Sequence, residues 1–186
     1  MEVVLIVPVV GFFIGCLYVL IQYNGLVALK NFIADAWANI DTELKRRHDL
    51  IPNLVATVKG YAAHEKEVLQ QVADLRQQCM QAQSFSKARD GAETKLEGSL
   101  GRLLAIVESY PDLKADTNFL ELQAELSRTE NRIQAARRFY NGNVRDYRNK
   151  CQTFPSSVVA SMFGFQSHDY FQAGESERAN PDINLT

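Results

Sequence analysis

Residues 3–21, VVLIVPVVGFFIGCLYVLI, contain no charged side chain, and this stretch decides the class of molecule. At ~1.5 Å rise per residue, a helix over these positions covers roughly the ~30 Å hydrocarbon core of a bilayer. Pro8 falls in the first turns, where a missing N–H matters least, and Tyr18 and Tyr23 sit where aromatic rings favour the headgroup level. A cleaved leader fits poorly, because Glu2 stands where a basic n-region belongs and the apolar run is too long. Phe13-Ile14-Gly15-Cys16 loosely resembles a lipidation box, but the apolar Leu17–Ile21 follows it where a polar tether is expected. Residues 1–23 are therefore predicted to be a transmembrane anchor. The nearest basic residues, Lys30, Lys45, Arg46 and Arg47, all follow the span, which predicts an outside N-terminus and a cytoplasmic remainder.

Beyond the anchor, apolar residues recur every three or four positions, the spacing of a helix with one buried face. Leu26, Leu29, Ile33, Trp37, Ile40 and Leu44 predict a helix running from the bilayer to about Arg47. Pro52 disfavours helix at the preceding residue, so His48–Pro52 is expected to break the chain and start a second helix ending near Gln83. Its stripe is Ile51, Leu54, Val55, Val58, Tyr61, Ala62, Val68, Leu69, Val72 and Leu75. Ser84–Ala92 lacks any period and is expected to be an exposed connection. A shorter helix follows on Leu96, Leu100, Leu103, Val107 and Tyr110, with Pro111 just past its end.

The longest stripe comes next: Phe119, Leu122, Leu126, Thr129, Ile133, Ala136, Tyr140, Val144, Tyr147, Cys151 and Phe154. Asp116 or Thr117 can cap this helix. Its opposite face, with Glu125, Arg128, Glu130, Arg132, Arg137 and Arg138, is expected to be solvated or to pair across a subunit contact. The apolar, aromatic segment from Val158 to Phe171 is too short to span a bilayer. It suits a short helix closing the base of the bundle, or alternatively a patch for a partner or the membrane interface. Residues 172–186 form a polar tail expected to be poorly ordered alone. The fold class is thus all-α: an N-terminal transmembrane helix continuing into an antiparallel bundle of about four long helices, with the bundle over 24–171.

Chemistry-bearing patterns are few. A net charge of −2 gives no reason to expect nucleic acid. Cys16, Cys79 and Cys151 are odd in number and widely spaced, and read as small buried hydrophobes in a reducing compartment. His64-Glu65 is the start of a zinc-helix motif, but Val68 stands where the second histidine belongs. His48 and His168 fall at expected element ends. No nucleophile elbow or phosphate-cradling glycine loop is present, so no catalytic, metal or cofactor site is expected. The turn carrying Lys45, Arg46, Arg47, His48, Asp49 and Asn53 is the candidate interaction surface, because it joins charge to a helix break.

Several motifs carry a family resemblance: Tyr23-Asn24-Gly25-Leu26-Val27; Ile40-Asp41; Leu44-Lys45-Arg46-Arg47-His48-Asp49-Leu50-Ile51-Pro52-Asn53-Leu54-Val55; and Val58-Lys59-Gly60-Tyr61 with His64-Glu65. Thr129-Glu130-Asn131-Arg132-Ile133, Ala136-Arg137, Tyr140-Asn141, Phe154-Pro155-Ser156-Ser157 and Phe163-Gly164-Phe165 extend it over nearly the whole chain. The sequence resembles the LemA family. That resemblance implies a bacterial single-pass membrane protein with a helical bundle, no established enzymatic activity, and associations with membrane-protease and cell-envelope contexts. It brings no catalytic residues. The function expected is a non-catalytic, self-associating membrane scaffold in the inner membrane. The alternative is an adaptor or regulator of another membrane protein such as a protease.

Overall fold

The computed structural model describes residues 2–82 and 87–171. Within them the chain is all-α: α1 (Glu2–Tyr61), α2 (Lys66–Gln81), α3 (Lys87–Val107), α4 (Pro111–Lys114), α5 (Thr117–Gln152) and α6 (Ser156–Met162). The polar tail predicted over 172–186 lies outside the described residues. The chain divides into two compact units, to both of which α1 and α5 contribute.

The central unit is built on Asp41–Gln134. Its core takes Ile51, Leu54 and Val58 from α1, Leu69, Val72 and Cys79 from α2, Leu96, Leu100 and Leu103 from α3, Leu113 from α4, and Phe119 and Leu126 from α5. Side-chain pairs fix the directions. Asp41 and His48 meet Arg89 and Glu93 in the same order, so α1 and α3 run parallel. Glu65 meets Tyr110, while Cys79 lies by Glu93, so α2 runs antiparallel to α3. Arg47 meets Glu130 and Tyr61 meets Asp116, so α5 opposes α1. The result is an up-down-up-down four-helix bundle. Of the two capping candidates, Asp116 holds the start of α5: its Oδ1 accepts the Phe119 N–H at 2.9 Å.

The break expected at His48–Pro52 is absent, and α1 continues to Tyr61. Proline inside a helix removes the N–H that would bond the carbonyl four residues back, here that of His48. The Arg76 Nε of α2 donates to this carbonyl at 2.6 Å, so the orphaned acceptor is satisfied from a neighbouring helix. The chain turns instead at Ala62–Glu65, where the Glu65 N–H bonds the Ala62 carbonyl. The exposed connection expected over Ser84–Ala92 is shorter, because α3 already begins at Lys87 and Arg89 is buried.

The terminal unit comprises Met1–Ile40 and Ala135–Phe171. Ile33, Trp37 and Ile40 of α1 are buried, as are Tyr140, Val144 and Tyr147 of α5. Trp37 packs edge-on against Tyr140, and the Asn143 amide reaches the Phe32 carbonyl at 3.3 Å, again antiparallel. Arg137, expected on the solvated face, is buried with its guanidinium 4.6 Å from the Phe171 ring centroid. After α5 the chain turns through Phe154-Pro155 into α6. Gly164, at φ 69°, ends α6: the Phe165 and Gly164 N–H groups bond the Ala160 and Ser161 carbonyls. Residues 165–171 then return along the helices. Asn141 clamps the Phe171 backbone from both sides, donating to its carbonyl at 3.0 Å and accepting its N–H at 2.8 Å.

From Pro8, α1 is long and apolar enough to cross a membrane, and almost none of that window is covered by protein. Phe12, Phe13, Ile14, Leu17, Leu20 and Ile21 are all exposed. Cys16 shares this exposure, so it is not the buried residue expected; Cys79 is buried and Cys151 half-buried.

Candidate functional site

Helical phase brings charge into the core of the central unit. On α1 the buried positions Leu44, Arg47, His48, Ile51 and Leu54 step by threes and fours, so the arginine and histidine occupy places where apolar side chains are expected. On α3 the sequence Arg89, Glu93, Leu96, Leu100 does the same, and α2 brings Cys79 beneath Leu75. Glu130 comes from α5, beside the buried Thr129. Four helices thus converge on one polar layer.

The layer is held by Glu93. Its Oε2 accepts the Arg47 Nη2, and the Arg47 Nη1 reaches the Glu130 Oε2 at 2.7 Å. The His48 Nε2 hydrogen-bonds the Glu93 Oε2 at 3.3 Å, which against an ionised carboxylate requires the Nε2–H form to donate, and lies 3.0 Å from Oε1. Arg89 donates to the Asp41 Oδ1 at 2.6 Å, with its Nε 3.9 Å from the Glu93 Oε1. Arg47 is wholly buried and Glu93 is 1% exposed, so this pair sits out of water, whereas Glu130 and Asp41 reach the surface.

Burial by itself would raise the Glu93 carboxyl, but the hydrogen bond from His48 and the charge of Arg47 outweigh it and hold the group below its ordinary range. Burial likewise lowers Arg47, yet the carboxylates of Glu93 and Glu130 raise it overall. The Cys79 thiol is pushed up to about 12, first by burial and then by the charge of Glu93. A carboxylate held ionised by a guanidinium is a weak base, and a buried neutral thiol is a weak nucleophile. The donor atoms of His48, Cys79 and Glu93 lie within 4.8 Å of one another and could hold a metal ion. Arg47 already neutralises the carboxylate such a site would use.

The structure separates the six residues chosen from the sequence. Lys45, Arg46, Asp49 and Asn53 are exposed on α1, with Arg46 only 3.7 Å from Glu43 in a loose surface pair. Arg47 and His48 belong instead to the buried layer, because the helix turns them inward. Asn53 lines a shallow groove with Leu50 and Thr57 of α1 and Glu121 and Glu125 of α5. His64 is exposed at the α1–α2 connection, and His168 packs against the Tyr147 ring at 5.6 Å. Glu93 and Arg89 are singled out by no motif, Asp41 appears only within a family motif, Glu130 within another and on the face expected to be solvated, and Cys79 only as a small buried hydrophobe. Their signal was phase: Arg47, Arg89 and Glu93 are charged residues standing on an apolar stripe.

Protein LemA of Metamycoplasma hominis is 28% identical over 159 residues, spanning 86% of this chain and 73% of that protein. Magnetosome protein MamQ of Magnetospirillum gryphiswaldense is 25% identical over 192 residues, spanning 88% of this chain and 71% of its own length. Magnetosome protein MamQ 2 of Paramagnetospirillum magneticum matches with the same identity and the same coverage. The LemA family model matches residues 36–185, a stretch that includes the whole four-helix bundle and its buried charge layer, and the chain belongs to the LemA family.

Proposed function

We propose that this protein is a non-catalytic scaffold of a bacterial inner membrane, anchored by residues 1–23 and self-associating through its helical faces. The observation that carries this reading is the continuity of α1, which passes from an exposed apolar stretch into a charged bundle without a break. Burying six or more large apolar side chains at roughly 1.5–3 kcal/mol each favours lipid over water by about 10 kcal/mol or more. The buried Arg47 and Glu93 of the central unit are turned on one another, which supports a structural role. Phe32 and Phe139, exposed on the terminal unit, supply apolar area for contact between copies. MamQ relatives carry the name of magnetosome proteins, which agrees with work at a membrane. The basic residues after the span favour a cytoplasmic bundle.

Crosslinking in native membranes followed by native mass spectrometry tests the scaffold directly. Oligomers above a dimer are expected, and a strictly monomeric species counts against it. A second reading, an adaptor for another membrane protein, draws on the exposed groove between Asn53 and Glu125. It calls for stoichiometric capture of a foreign partner with little self-association.

A further inference from the structure

The segment Phe154–Phe165 holds no charged residue, and α6 at its centre carries apolar residues on both its inner and its outer side, beside the exposed Ser161. Val159 and Ala160 face inward and are buried. Turned outward are Phe154, Val158, Met162 and Phe163, at 79%, 50%, 70% and 52% exposure. A helix on the surface of a water-soluble bundle carries mostly polar and charged residues on its outer face, whereas here the large outward side chains are apolar.

Its place in the terminal unit says what covers it. The Tyr23 ring, directly after the apolar stretch of α1, packs edge-on against Phe163 at 4.9 Å and Phe165 at 5.6 Å. The turn at Gly164 sets these two rings on either side of it. Half a turn beyond Tyr23, the Lys150 ammonium lies against α1 at Gly25. The outward apolar face therefore sits at the level where α1 leaves the lipid, flanked by an aromatic ring and a cation, the pair of side chains suited to a headgroup boundary.

We infer that Phe154, Val158, Met162 and Phe163 form a membrane foot, dipping into the acyl–headgroup boundary of the same bilayer that α1 crosses. This inference rests on the reading of residues 1–23 as a membrane anchor. The foot gives a single-span protein a second point of contact, which fixes the tilt and rotation of the terminal unit on the surface.

The test uses the full chain in vesicles of phosphatidylcholine and phosphatidylglycerol doped with a phospholipid carrying a diazirine near the top of its acyl chain. After irradiation, adducts are mapped by peptide mass spectrometry. Adducts are expected in 8–21 and also in 154–163, and the surface variant F154D/M162D loses the second set while keeping the first. Adducts in 8–21 alone overturn the foot and leave the anchor standing, pointing to a second copy or a protein as the occupant. Adducts in neither overturn both. Adducts at 154–163 that persist undiminished in F154D/M162D overturn the foot as well.

Discussion

Glu93→Gln removes the charge that Arg47 and His48 both engage while keeping the shape of the side chain. Breaking a buried ion pair by deleting one partner costs ~3–5 kcal/mol, because the remaining charge is left in a poor solvent. Arg47 is fully buried, but it retains Glu130, whose side chain is 29% exposed. The expected loss therefore lies near the lower limit, about 3 kcal/mol. At ~2–4 °C per kcal/mol for a domain of this size, the melting temperature should fall by roughly 6–12 °C in far-UV circular dichroism. The pH dependence carries a second signature. The folded Glu93 carboxyl is held below its ordinary value of 4.5, so its stabilisation is fully present above that pH and is lost as the pH falls through the folded value. The gap between the parent and the Gln variant should therefore close in acid. Replacing both partners, R47M/E93M, should destabilise less than E93Q alone, since the charge it unpairs, that of Glu130, is partly exposed to water. A Gln variant that melts within ~1 °C of the parent, or a gap unchanged in acid, refutes the view that this layer holds ionised, mutually dependent groups.

Arg76→Met should cost ~1.5–3 kcal/mol by leaving the His48 carbonyl without its donor, and clearly less in a Pro52→Ala background, where the helix supplies its own N–H. Equal losses in both backgrounds, measured by urea denaturation, would disprove the coupling. Cys79 should resist iodoacetamide at pH 8 in the native protein and react only after unfolding, given a thiol pushed up to about 12 by burial; rapid native alkylation at this residue contradicts that. Asn141→Ala should lower stability by ~1–3 kcal/mol and speed hydrogen exchange in 165–171, because both backbone bonds to Phe171 go with it. Unchanged exchange there would show that the aromatic contacts alone hold the strap.

The stripe from Phe119 to Tyr147 was legible because a 3.6-residue period survives any tertiary detail, and the buried positions follow it. The course of the chain at Pro52 was not. Local sterics argue for a break, and the residue that overrides them, Arg76, lies on another helix where no window around Pro52 can find it. The charge layer fell between these cases. Lys45, Arg46 and Arg47 read as one basic cluster, yet their phases differ: Arg47 stands in register with Leu44, Ile51 and Leu54, while its neighbours face out. The partner carboxylates on α3 and α5 are remote in sequence, so the pairing itself left no local trace. Glu93, by contrast, could have been suspected from its register with Leu96 and Leu100.

The central claim is that α1 is one uninterrupted helix whose apolar beginning lies in lipid. A spin-label accessibility scan along residues 8–61 of the full chain in vesicles tests both parts at once. High oxygen and low nickel-chelate accessibility should extend over 9–21 and give way to a ~3.6-residue oscillation that keeps its phase through Pro52. Nickel-chelate access throughout 9–21, or a loss of phase between His48 and Pro52, would contradict the account.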